Sequence, residues 1–72
     1  MSRIVALGEA DSVEVFAMVG VDVVAVSDAA ALRRTWAGLR DDVGLVILTR
    51  SAAQMLGRSL HDAGHPLWAV MP

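Results

Sequence analysis

The sequence predicts an α/β domain: a four-stranded parallel sheet of order 2-1-3-4 with three helices. Three observations carry that expectation. Short apolar, β-branched runs alternate with helix-like segments. The runs are apolar at both parities, as strands buried on both faces must be. The connections between them are short, so each strand–helix–strand unit closes as a right-handed crossover. A chain of 72 residues, 56% hydrophobic and without cysteine, makes one such domain over residues 1–72, with no disulfide staple and no thiolate chemistry.

Each element has its own signals. The strands are residues 4–7, 21–26, 43–49 and 67–71, bounded by Gly, Asp, Ser or Pro, with Asp22 the one charge within them, at an entry end. Asp11 is expected to cap the first helix, with Glu14 as its reciprocal partner and Gly20 closing it. Ser27 or Asp28 caps the second helix, whose apolar positions Leu32, Trp36 and Leu39 recur at helical spacing. Ser51 and Gln54 read as a capping box for the third. Its stripe runs Ala52, Met55, Leu56, Ser59, Leu60, Ala63 before Gly64-His65-Pro66 stops it.

Charge and hydropathy exclude several functions. The six basic residues are all arginine and scattered against eight acids, net −2, so there is no electrostatic footprint for nucleic acid. Mean hydropathy is high, +0.55. Yet the longest apolar run, residues 43–48, is far short of the ~20 residues that span a bilayer. The expectation is a cytoplasmic chain with no direct membrane insertion.

In a sheet of this order, ligands bind beyond the strand carboxyl ends where the order reverses. Here that is the crevice between Gly8-Glu9-Ala10-Asp11 and Thr49-Arg50-Ser51. After Gly8 the next glycine is Gly20, so no glycine-rich turn admits a pyrophosphate. Without lysine there is no phosphate loop. A receiver-like domain would carry its phosphorylated aspartate where this chain has Thr49. Glu9 and Asp11 read as a loop acid, paired with Arg50, and a helix cap rather than as an acid–base pair. His61 and His65 are four apart, but Gly64 and Pro66 break the helix and no third metal ligand is evident. They read as a solvated pair near a helix C-terminus. Trp36 is expected in the core; for Trp68, core and interface are both open. The sequence therefore shows no catalytic residue, no cofactor-binding residue and no metal site.

The run Ile4-Val5-Ala6-Leu7-Gly8-Glu9-Ala10-Asp11-Ser12-Val13, then Phe16 and Gly20-Val21, resembles the start of the F subunit of V-type and archaeal-type rotary ATPases. Val43-Gly44-Leu45-Val46-Ile47-Leu48-Thr49 with a helix from Ser51 is similar to that family's third strand and helix. Pro66-Leu67-Trp68-Ala69-Val70-Met71-Pro72 is similar to its fourth strand. Val15 stands where the family usually has glycine, and Arg50 where an acid is common. The resemblance implies a non-catalytic central-stalk protein that binds the coiled coil of the D subunit. Such a protein helps couple ATP hydrolysis or synthesis to proton or sodium transport, peripheral to the membrane. It also implies that residues 1–72 correspond to the N-terminal globular domain, lacking the family's C-terminal helical segment. The competing reading is a small flavodoxin-like ligand-binding or signalling domain, or a fragment of a larger enzyme.

One surface expectation follows from the topology. The first helix lies on one face of the sheet and the other two on the opposite face, so strands three and four lack cover on the first face. Val13, Phe16 and Ala17 suffice to cover the strands beneath the first helix, which leaves Val15, Met18 and Val19 on its flanks. These three, with Arg50 and Trp68, are the expected partner-interface residues. The expected cover for the patch is a partner or an extension in a complex, or self-association of the isolated chain.

Overall fold

A computed structural model describes residues 3–39, 41–61 and 66–72. Four strands, β1 (Arg3–Gly8), β2 (Asp22–Ala25), β3 (Val43–Leu48) and β4 (Leu67–Val70), form one sheet of order β2-β1-β3-β4. Every pairing is parallel. The predicted fold class and strand order are both present. Arg3 holds the entry end of the sheet together. Its guanidinium reaches the Asp22 carboxylate at 3.1 Å and that of Asp42 at 2.9 Å, and its N–H donates to the Asp42 carbonyl. All three side chains are about half exposed, so this clamp sets register more than it adds stability.

Three helical segments connect the strands. The first, α1 (Ala10–Val13), continues as a 3-10 segment, Glu14–Val19. The second, α2 (Ala29–Ala37), has its N-cap on Asp28, whose carboxylate accepts the Ala31 N–H. Between the two predicted caps, the structure chooses Asp28. The third, α3 (Arg50–Leu56), gives way at Gly57, in the left-handed region at φ 49°, to a 3-10 turn, Gly57–His61. The single helix expected from Ser51 onward is thus broken at that glycine.

Two cap predictions are corrected. The N-cap of α1 is Glu9, whose side chain makes no capping bond, and Asp11 lies inside the first turn. Asp11 and Glu14 therefore form no capping box, because the chain turns into the helix one residue after β1. The N-cap of α3 is Thr49, whose hydroxyl accepts the Ala52 N–H at 3.1 Å. Ser51 already lies inside the first turn, too late to cap, and its hydroxyl goes elsewhere. Gly20 closes the first helical segment as expected, in the left-handed region at φ 84°, with its N–H on the Ala17 carbonyl.

The main core lies between the sheet and α2–α3. Val5, Leu7, Val46 and Leu48 meet Leu32, Trp36, Ala52, Leu56 and Leu60, all buried, with Val24, Leu39 and Trp68 packed at the margin. Trp36 is a core residue, and its indole N–H donates to the Ser59 carbonyl at 3.0 Å. Met55, expected in the buried stripe, is instead exposed. Alternation along the strands turns Ile4, Ala6, Leu45, Ile47, Leu67 and Ala69 to the opposite face. There α1 packs on β1 and β2, and its 3-10 continuation on β2. Val13 and Ala6 are fully buried under it, Phe16 is half-buried, and Ala17, expected to cover the sheet, is exposed.

Candidate functional site

Two places bear on function: the crevice at the strand ends, where the sequence leads to no expectation of a catalytic or cofactor site, and the half-covered sheet face, where it leads to that of a partner interface. At the crevice, the chain fills the space with its own atoms. A Cβ on Gly8 would stand 2.9 Å from the Cβ of Thr49, with the rest of that side chain nearer still. Thr49 is buried and its hydroxyl is committed to the α3 cap, so it cannot swing away. Beside it, the Ser51 hydroxyl donates to the Glu9 carboxylate at 2.6 Å. That bond, more than smaller contributions from Thr49 and the Glu9 backbone, holds the Glu9 carboxyl below its usual range.

The loop after β1 and the start of α3 are thereby latched across the switch point. The expected pairing of Glu9 with Arg50 is not formed. Serine is the partner, and Arg50 lies exposed at the first residue of α3 with no ion pair among the described residues. Sequence reasoning missed Ser51 as that partner because its spacing to Gln54 also fits a cap. The signal available was Thr49, a residue able to cap and placed directly at the strand end. Asp11 is exposed and shares no hydrogen bond with Glu9.

His61 ends the 3-10 turn after α3, edge-on to Trp68 with ring centroids 6.0 Å apart; His65 lies outside the described residues. Among the described residues no three acids or histidines group to hold a metal ion. Also among them, no helix is long and apolar enough to cross a membrane.

The second place is an open surface. Val15, Met18 and Val19 project from the first helical segment, Met18 being 85% exposed. On the same side Leu67 is 75% exposed and Ile4 is also exposed, while Leu45 and Ile47 are half-buried. Of the seven large hydrophobic side chains exposed among the described residues, these five (Ile4, Val15, Met18, Val19, Leu67) lie on the α1 side. Trp68 does not join them. It faces the main core, with its indole N–H on the Leu60 carbonyl at 3.1 Å. The five expected interface residues thus divide into Val15, Met18 and Val19 on one face, Arg50 at the strand-end rim, and Trp68 on the other face.

No curated protein matches the sequence. Residues 4–71 match the family described as ATP synthase (F/14-kDa) subunit. The match takes in all four strands and three helical segments, in agreement with the resemblance read from the glycine and apolar pattern. The chain belongs to the F/14-kDa subunit family of the ATP synthases.

Proposed function

We propose that this chain is a non-catalytic component of the central stalk of a V/A-type rotary ATPase or ATP synthase. In this reading it binds the coiled-coil D subunit, turns with it, and contributes to coupling ATP hydrolysis or synthesis to proton or sodium movement. Its place is cytoplasmic and peripheral, held to the membrane through the complex. The family match over residues 4–71 carries the reading. The crevice adds support: where a ligand-binding relative of this fold would open, Gly8, Thr49, Ser51 and Glu9 interlock. A stalk component needs a rigid body with an adhesive surface rather than a pocket, and the open α1 side offers one.

Residues 1–72 correspond in this reading to the family's N-terminal globular domain. The test is reconstitution with the isolated coiled-coil partner, followed by ATPase and ion-pumping assays of the complex with and without this chain. Binding to the coiled coil and loss of coupling when the chain is omitted are expected. Failure to bind, or tight nucleotide binding by the chain alone in calorimetry, would overturn the proposal.

A further inference from the structure

Two oddities of the α1 side fit each other. A sheet of four strands, ~4.8 Å apart, is about as wide as two helices of ~10 Å. The core side carries two, α2 and α3, whereas on the other side α1 packs on β1 and β2. Beside it lies room for one more helix, floored by Leu45, Ile47, Leu67 and Ala69 without a single charge. The helix α1 with its continuation is itself apolar where a surface helix should be polar, at Val15, Met18 and Val19. A missing partner helix would explain the empty half-face but not the apolar outer side of α1.

We propose that a second copy of this chain explains both. Two copies placed face to face about a two-fold axis parallel to the strands exchange left and right while keeping strand direction. The helix-bearing half of each sheet then lies over the bare half of the other. Each α1 completes its partner's helix layer, and the two helices share one layer between two sheets. The contact is isologous, so every interaction occurs twice.

The levels match as well. At rises of ~1.5 Å in the α-helix and ~2 Å in the 3-10 segment, Val15 lies about 8 Å and Met18 about 14 Å below the start of α1. At ~3.3 Å per strand residue, these are the levels of Ala6 and Ile4. Ala6 is in register with Ile47 and Ala69, and Ile4 with Leu45 and Leu67. Val15 therefore meets the Ala69 level of the second copy, and Met18 the Leu67 level. At the strand-end rim, exposed Asp11 of one copy comes level with exposed Arg50 of the other, opposite charges across the contact. A standard interface takes about 800 Å² from each partner. That is about a sixth of this chain's 4658 Å² of accessible surface, and five of its seven exposed large hydrophobic side chains lie on the α1 side.

The inference concerns the isolated chain, in which no coiled-coil partner competes for the α1 side, and is tested on that chain. Sedimentation or light scattering at tens of micromolar should give twice the 7.6 kDa chain mass. Met18→Glu and Leu67→Glu, both at exposed positions, should weaken the dimer by about tenfold or more each, with unchanged circular dichroism. Asp11→Arg should weaken it less, and adding Arg50→Asp should restore it. In a mixture of Val15→Cys and Ala69→Cys chains, a short bismaleimide should give the mixed cross-link in preference to either homodimer. A monomer at every concentration overturns the proposal. So does a dimer that tolerates Met18→Glu, as would be found if copies paired through the β4 edge.

Discussion

The two faces of the sheet are made of the same residue types, valine, leucine, isoleucine and alanine, and are covered very differently. Toward α2 and α3, Val5, Leu7, Val46 and Leu48 are sealed by two helices. Toward α1, Ala6 is sealed beneath the helix that carries Val13, while Val23 is half-buried and Ile4 exposed. The apolar pattern of a strand records that both its faces leave water, not what covers them. A strand such as β4 can thus read as interior while Leu67 stands in solvent. The difference divides the labour of the molecule. Burial on the α2–α3 side supplies the folding free energy. The α1 side, left apolar at Val15, Met18, Val19 and Leu67, is the surface proposed for association.

Substitutions on the two faces give the largest contrast. Leu32→Ala or Leu48→Ala removes a fully buried side chain and should cost about 2–5 kcal/mol. That is much of the stability of so small a domain, at ~0.05–0.15 kcal/mol per residue. Leu67→Ala and Met18→Ala should stay within about 0.5 kcal/mol in urea unfolding at concentrations where the chain is monomeric. Equal losses on both faces would show that the α1 side is a core after all. The contrast sharpens if the last two substitutions shift only the concentration dependence of unfolding.

The strand-end crevice yields the next effects. Gly8→Ala drives a methyl into the buried Thr49 side chain and should cost about 1–3 kcal/mol, the range for overpacking. Thr49→Ala removes the α3 cap and should cost about 1 kcal/mol, whereas Asp11→Ala, at a position with no cap bond, should change stability by a few tenths at most. Chemical denaturation of the three variants checks the order. An Asp11 substitution as costly as the Thr49 one would restore the cap expected from sequence.

Much of this was legible in the residues alone, for identifiable reasons. Given the order 2-1-3-4, the helix sides follow from short parallel crossovers, whose hand is all but obligatory. Leu32 and Trp36 were placed by helical periodicity. The caps were less legible because neighbouring Ser, Thr and Asp compete for one role, and the decision rests on where the strand ends. Thr49 closes β3 and so reaches the first free N–H groups of α3; Ser51, two residues on, is left for Glu9. The break at Gly57 was invisible to a stripe analysis, since Leu60 still falls on the buried side.

The smallest predicted effect tests whether the crevice latch contributes to folding. Glu9 in the folded chain ionises below its usual range, chiefly through the Ser51 hydroxyl. A carboxyl whose folded pKa is lowered contributes stability above its unfolded pKa, and that contribution is lost as pH falls through the folded pKa. Glu9→Gln keeps an acceptor for Ser51 but does not titrate. Wild type should therefore exceed Glu9→Gln in urea midpoint near neutral pH, and the gap should close as pH drops below the ordinary glutamate range. Glu9 is no more than half-buried, so the gap should shrink in high salt to the extent that it is electrostatic. Ser51→Ala offers the complementary measurement, returning the Glu9 titration, followed by carboxyl NMR, toward its usual position. A gap independent of pH, with Glu9 titrating unchanged in Ser51→Ala, would mean that the two residues touch without being coupled, and that the crevice is held shut by Gly8 and Thr49 alone.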